Sequence, residues 1–155
     1  MKIIFLDFDG VMDTDYDYHI RHKEGLPYSD EYGTLFDPKC VENLRRIIDQ
    51  TGADIVVSSS WKYMMDYKDL FEMWEARDLP GFITDVTPIP IDRRKRGDEI
   101  DAWLEECNEE CQYVIIDDLE ANNFNPHQIP RLLLVNPFFG LDEETAERAI
   151  ALLNS

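Results

Sequence analysis

A chain of 155 residues can bury a core without disulfide or metal staples and leaves little room for a second domain, so 1–155 reads as one unit. Its 33 acidic residues against 15 Lys and Arg give a formal charge of −18, which argues against general DNA binding and docking on anionic membranes, since both need a basic face. Hydrophobic residues at 44% are too many for a disordered chain.

The first segment, Lys2 to Leu6, is a continuous apolar run that ends in Asp7-Phe-Asp9-Gly10, the pattern of a strand buried on both faces that opens into a turn. Residues 12–36 show no helical or alternating period and are rich in Asp, Tyr, Gly and His, which predicts a long loop acting as a short lid or cap. Asp37-Pro38 then gives an N-cap and a proline at the first helical position. Val41, Leu44, Ile47 and Ile48 recur at helical spacing up to the stop at Gly52. A second strand is expected over Asp54 to Ser58, ending in the hydroxyls Ser58, Ser59 and Ser60. Asp66 to Arg77 predicts a helix, and Phe82 to Val86 a short strand.

After Pro88 and Pro90 comes the basic tract Arg93 to Arg96, then a helix expected from Asp98 to Glu110 with Ile100, Trp103, Leu104 and Cys107 on one face. Strands are expected over Gln112 to Ile116, stopping at Asp117-Asp118, and over Leu132 to Val135. A final helix runs from the cap Asp142 to Leu153. Strands and helices thus alternate, and the strands are continuously apolar. That combination predicts a Rossmann-like three-layer α/β/α sandwich around a mostly parallel sheet.

No apolar run reaches the roughly 20 residues of a membrane span. The early acids Asp7 and Asp9 speak against a signal peptide. Three cysteines, Cys40, Cys107 and Cys111, are an odd number and read as reduced thiols of a cytoplasmic protein.

In an open sheet of this kind ligands bind beyond the carboxyl ends of the strands. Three predicted strands end in chemistry there: Asp7 and Asp9, Ser58 and Ser59, Asp117 and Asp118. Four carboxylates on one rim would repel one another without a cation, and a hard divalent ion on oxygen ligands suits them, Mg²⁺ best.

These residues carry a resemblance. Asp7-Phe-Asp9-Gly10-Val11 after an apolar strand resembles the first motif of the haloacid dehalogenase-like (HAD) hydrolases. Ser58 or Ser59 is similar to the hydroxyl of the second motif, Lys95 or Arg96 to the cation of the third, and Asp117-Asp118 to the acidic fourth, in family order over nearly the whole chain. Val57-Ser-Ser-Ser-Trp61-Lys62, the helix start Arg96-Gly-Asp-Glu-Ile100 and the stretch Asn136-Pro137 to Asp142-Glu143 resemble more narrowly the small HAD domains of Swiss-army-knife RNA repair proteins.

The resemblance implies a HAD-like fold with a minimal cap and a Mg²⁺-dependent phosphatase. Asp7 would be the nucleophile that forms an aspartyl-phosphate. Asp9 would be the acid and base, helped into place by the turn at Gly10. The family's dehalogenases lack an acid at this place, so Asp9 favours phosphoryl transfer. Ser58 or Ser59 would bind a phosphoryl oxygen, and Lys95 or Arg96 would neutralise its charge. Asp7, the carbonyl of Asp9, Asp117 and, through water, Asp118 would hold the metal. The expected substrate is a phosphomonoester such as a nucleotide or small metabolite. The alternatives are a nucleic-acid end in RNA repair, or a catalytically silent acidic module that docks a basic partner.

Rival readings remain for some residues. Asp13-x-Asp15-x-Asp17 with Glu24 matches the spacing of a calcium loop, but Tyr18 stands where a glycine should turn the chain. Arg93 to Arg96 could contact phosphates or merely be solvated. His19, His22 and His127 lack ligand spacing, Cys107-x-x-x-Cys111 alone does not make a zinc site, and Trp61, Trp74 and Trp103 read as core.

Overall fold

The apolar run at the start forms β1 (Lys2–Leu6), the middle strand of a five-stranded sheet in a computed structural model that describes residues 1–89, 91, 92 and 95–155. Along the chain follow α1 (Asp15–Lys23), a hairpin of β2 (Ser29–Asp30) and β3 (Gly33–Thr34), and α2 (Pro38–Thr51). Next come β4 (Asp54–Val57), α3 (Tyr67–Ala76), β5 (Ile83–Val86) and α4 (Arg96–Glu106), and the described elements close with β6 (Gln112–Asp117), β7 (Leu132–Leu134) and α5 (Glu143–Leu153). The sheet order is β5-β4-β1-β6-β7 and every pairing is parallel. The chain builds from β1 outward through β4 and β5, then crosses back to lay β6 and β7 on the other side. This reversal puts the switch in strand order at the carboxyl end of β1, the place where open sheets of this kind bind ligands.

Side-chain alternation along each strand sorts the core into two faces. Ile4, Leu6, Ile55, Val57, Val114 and Ile116 pack with Leu44 and Ile47 of α2, Leu70, Met73 and Trp74 of α3, and Ala146, Ala149 and Leu153 of α5. Ile3, Phe5, Val56 and Ile115 pack with Ile100, Trp103 and Leu104 of α4 and with Phe124. The expected Rossmann-like α/β/α layering is what the chain forms. The helix caps are local and follow the sequence. The Asp37 carboxylate accepts from the Lys39 N–H at 2.9 Å, Pro38 opens α2, and Gly52 closes it at φ 68°.

Residues 12–36 depart from the expected unpatterned loop. Thr14 caps α1 by accepting from the Asp17 N–H at 3.0 Å, and acids in the first turn with bases in the last suit the helix dipole. None of the residues of α1 is buried, so there is no apolar stripe for the sequence to reveal. Asp15 and Asp17 therefore lie in a helix rather than a calcium loop, and Asp17 pairs with Arg21 at 2.6 Å. The β2–β3 hairpin is pinned to the body by Arg77, whose guanidinium holds Asp30 at 2.7 and 2.9 Å.

At α4 the expected bounds shift. The helix begins at Arg96 and ends at Glu106, so Cys107 follows it in extended conformation rather than riding its apolar face. The acid-rich stretch after it has little to bury. The sulfurs of Cys107 and Cys111 lie 3.3 Å apart, and all three cysteines are free thiols. Of the tryptophans only Trp74 is fully buried, while Trp61 and Trp103 pack against the core from its edge. Trp61 and Trp103 are half-buried, and each donates its indole N–H to a carboxylate, Asp9 at 2.9 Å and Asp85 at 2.8 Å. Among the described residues no helix is long and apolar enough to cross a membrane.

Candidate active site

Leu6 on β1 lies opposite Val57 on β4 and Ile116 on β6. The ladder runs one residue further. The Asp7 N–H donates to the Ile116 carbonyl at 3.1 Å, and the Ser58 N–H donates to the Leu6 carbonyl at 2.9 Å. Asp7, Ser58 and Asp117 thus form one row across three strands, and alternation turns all three toward the α4 face shared by Phe5, Val56 and Ile115. Ser59, one residue on, serves the backbone instead. Its hydroxyl accepts from the Trp61 N–H at 3.2 Å and caps a 3-10 turn over Ser60–Tyr63. The Ser58 hydroxyl is buried with no hydrogen-bond partner among the described residues, which leaves it available to a ligand.

The cation of the row comes from the first residue of α4. Arg96 Nη1 donates to the Ser58 carbonyl at 2.7 Å and to Asp117 Oδ2 at 2.8 Å, and it lies 3.6 Å from Asp7 Oδ1. Lys95 turns away, with its ammonium 3.3 Å from the Phe124 carbonyl. Arg93 and Arg94, the other half of the basic tract, lie outside the described residues.

Asp7, Asp117 and Asp118 each bring a carboxylate oxygen within 4.8 Å of the others, and among the described residues this is the one such group. No His or Cys joins it, so the donors are all oxygen. Burial first, then the neighbouring Asp117, pushes the Asp7 carboxyl up to about 9, with Arg96 pulling the other way. Burial also raises Asp117 to about 6, against the pull of Arg96 and the Leu119 N–H. Burial disfavours the Arg96 charge, but Asp117 and Asp7 outweigh it and hold the guanidinium ionised. One guanidinium therefore does not balance three clustered carboxylates. A hard divalent cation fits the donor set and would supply the missing positive charge.

The turn after β1 brings its acids to this rim. Gly10 sits at φ 79°, and a Cβ there would run into the Asp118 carboxylate and approach Pro137 to 3.0 Å, so both the backbone and the close approach require glycine. Asp9 is exposed and lies apart from the three-carboxylate group. Its Oδ1 accepts from Trp61 Nε1, and Asp13 lies beside it. Asp13 Oδ2 is buried with no donor facing it among the described residues, and burial followed by the Asp9 carboxylate pushes Asp13 up to about 8. A proton on Asp13 turns two repelling carboxylates into a donor and an acceptor.

Trp61 and Asp13 were not expected beside the site: the first reads from sequence as core, and the second as part of the lid over 12–36. Behind the row, Lys62 and Glu99 form a buried ion pair at 2.9 Å, and Lys62 Nζ also donates to Thr87 Oγ1 at 2.9 Å. Glu99 Oε2 lies 4.0 Å from Arg96 Nε. The only sequence signal for Trp61 and Lys62 was their place in the stretch Val57 to Lys62.

Compared with known families, residues 3–146 match the model of the HAD domain in Swiss Army Knife RNA repair proteins, from β1 into α5. No curated protein and no solved structure matches the chain.

Proposed function

The chain belongs to the family of HAD domains in Swiss Army Knife RNA repair proteins, and on that premise we propose that it is a Mg²⁺-dependent phosphohydrolase acting through an aspartyl-phosphate. The observation that carries this reading is the single row of Asp7, Ser58 and Asp117 at the carboxyl ends of three parallel strands, bridged by Arg96. A nucleophile, a hydroxyl donor, a cation and a metal-binding carboxylate are what phosphoryl transfer needs at one point.

Asp7, Asp117 and Asp118 would hold Mg²⁺ by their side chains and Asp9 by its main-chain carbonyl. When bound, the ion supplies positive charge that keeps Asp7 ionised and offsets the charge of the phosphate. An Asp7 oxygen attacks phosphorus, and the bond from phosphorus to the ester oxygen breaks. Asp9 gives its proton to that departing oxygen. Arg96 and the Ser58 hydroxyl hold the equatorial oxygens of the transferring group. Water then attacks the aspartyl-phosphate, Asp9 takes a proton from it, and the bond between phosphorus and Asp7 breaks to release inorganic phosphate.

The substrate is a phosphomonoester. The family description favours the phosphate at an RNA end, while the charge of −18 disfavours long backbone contacts. The two agree if only the terminal nucleotide is grasped, and a free nucleotide would satisfy the same site.

The test is hydrolysis of an aryl phosphate with and without Mg²⁺, alongside Asp7→Asn. Turnover that requires Mg²⁺ and vanishes in Asp7→Asn is expected. An Asp7→Asn protein as active as the parent would overturn the mechanism. Activity on a phosphate-ended oligoribonucleotide that changes little from low to moderate salt is expected for terminal recognition, and a steep fall would mark backbone contacts instead.

A further inference from the structure

Asp9 is the one exposed carboxylate of the motif, yet one of its oxygens is held. Trp61 Nε1 donates to Asp9 Oδ1 at 2.9 Å, across 52 residues of chain. The indole is itself boxed in. The Phe8 ring meets it edge-on at 5.2 Å, Phe36 lies at 5.8 Å, and the Arg77 guanidinium stands 5.9 Å from its centre. The hairpin closes the far edge: a Cβ on Gly33 would sit 3.2 Å from the ring. Arg77 binds Asp30 twice and also donates to the carbonyls of Gly33 and Thr34 at 3.1 Å, so hairpin and ring are locked as one unit. At the backbone end, the Ser59 cap fixes the turn from which Trp61 springs.

We propose that Trp61 is a positioning residue for proton transfer, its N–H engaging Asp9 Oδ1 so that Oδ2 is the oxygen that delivers the proton to the leaving group. The proposal rests on the phosphohydrolase reading above. The chemistry of the donor is what suits it to this role. An indole N–H donates only and neither takes nor gives up a proton in the working range, so it orients the carboxyl without competing for the proton. Asp13, the other neighbour of Asp9, is a carboxyl itself and could exchange protons with it. Of these two neighbours, only the wedged ring is confined to orienting.

The readout that separates positioning from packing is the leaving group. A 4-nitrophenyl ester departs as a stable phenolate and needs little protonation, whereas an alkyl ester such as glycerol 2-phosphate needs the acid. Trp61→Phe keeps an aromatic ring and removes the N–H. It is expected to lower kcat/KM, which reports the phosphoryl-transfer step alone, on glycerol 2-phosphate roughly 10- to 100-fold, the size of a lost hydrogen bond to a charged group. On 4-nitrophenyl phosphate kcat/KM should stay within about threefold. Because Trp61 would act through Asp9, adding Trp61→Phe to Asp9→Asn should cost little more than Asp9→Asn alone. Equal losses of kcat/KM on both esters, no loss on either, or independent losses in the double variant would overturn the proposal.

A measurement without turnover stands beside these. The chain has three tryptophans, and Asp9→Ala should shift one indole N–H resonance in the ¹⁵N spectrum and speed its exchange with solvent. Three unmoved resonances would overturn the proposal even if Trp61→Phe failed to fold. Parent protein that with Mg²⁺ hydrolyses neither ester, nor a nucleotide, nor a phosphate-ended oligoribonucleotide would overturn the phosphohydrolase reading and this proposal with it. Parent turnover with an unselective Trp61→Phe would overturn this proposal alone.

Discussion

Replacing Asp7, the proposed nucleophile, by Asn should stabilise the metal-free protein. In the fold Asp7 is pushed from 3.8 to about 9, first by burial and then by Asp117, so the folded state holds its proton more tightly than the unfolded chain does. A carboxyl shifted upward subtracts stability as pH rises: nothing is lost below about pH 4, and the loss grows until the pH reaches the folded value near 9. At pH 7.5 the gap above 3.8 is roughly 3.7 pH units, each worth about 1.4 kcal/mol, for a ceiling near 5 kcal/mol. Water entry and movement of Arg96 relax part of this penalty, and we expect about 2 kcal/mol to remain. Asp7→Asn removes the ionisable group, keeps an oxygen for the Phe8 N–H that Asp7 now accepts at 2.8 Å, and adds a donor toward Asp117. Thermal unfolding in EDTA, followed by circular dichroism at pH 5, 6.5 and 8, should give the variant a Tm higher by roughly 4–8 °C at pH 8. At pH 5 most of that advantage should be gone. Added Mg²⁺ should raise the parent more than the variant and narrow the gap. A variant less stable than the parent at pH 8, or a gap equal at pH 5 and pH 8, would refute the reasoning.

The two serines should separate cleanly. Ser58→Ala is expected to lower kcat by roughly 10- to 100-fold with little change in Tm, because its hydroxyl has no structural partner among the described residues, while Ser59→Ala should cost about 1 kcal/mol of stability through its lost cap. The adjacent cations should differ as sharply in steady-state kinetics. Arg96→Met should cut kcat by roughly 100-fold or more, and Lys95→Met should leave it within about threefold. Lys62→Met leaves Glu99 buried without its ammonium at 2.9 Å, and urea unfolding should show a loss of about 3 kcal/mol. A Lys62→Met protein as stable as the parent would show that Glu99 finds its compensation elsewhere.

How much was legible follows the range over which each feature is decided. The strand Lys2–Leu6, the helix from Asp37-Pro38 to Gly52 and the Asp142 cap depend on neighbours within a few residues, and they form where the local pattern puts them. The first helix escaped because it buries none of its residues and so writes no apolar period. The end of α4 escaped because charge and cysteine spacing continued the helical pattern after the core beneath it had run out.

The linear chain alone determined that three apolar strands would end in Asp7, Ser58 with Ser59, and Asp117 with Asp118, because hydrophobic runs and their polar stops are properties of adjacent residues. It did not decide which serine or which cation lies beside Asp7. That needed the register of Leu6 against Val57 and Ile116, which assigns Ser58 to the α4 face with Asp7, and the start of α4 at Arg96, which turns Lys95 toward Phe124. Tertiary structure also decided the partner of Asp9. An indole 52 residues away reaches it through a wedge of aromatic rings and a hairpin held by Arg77. Contacts between distant segments leave no periodicity in the chain, and only the folded packing brings them within hydrogen-bond distance.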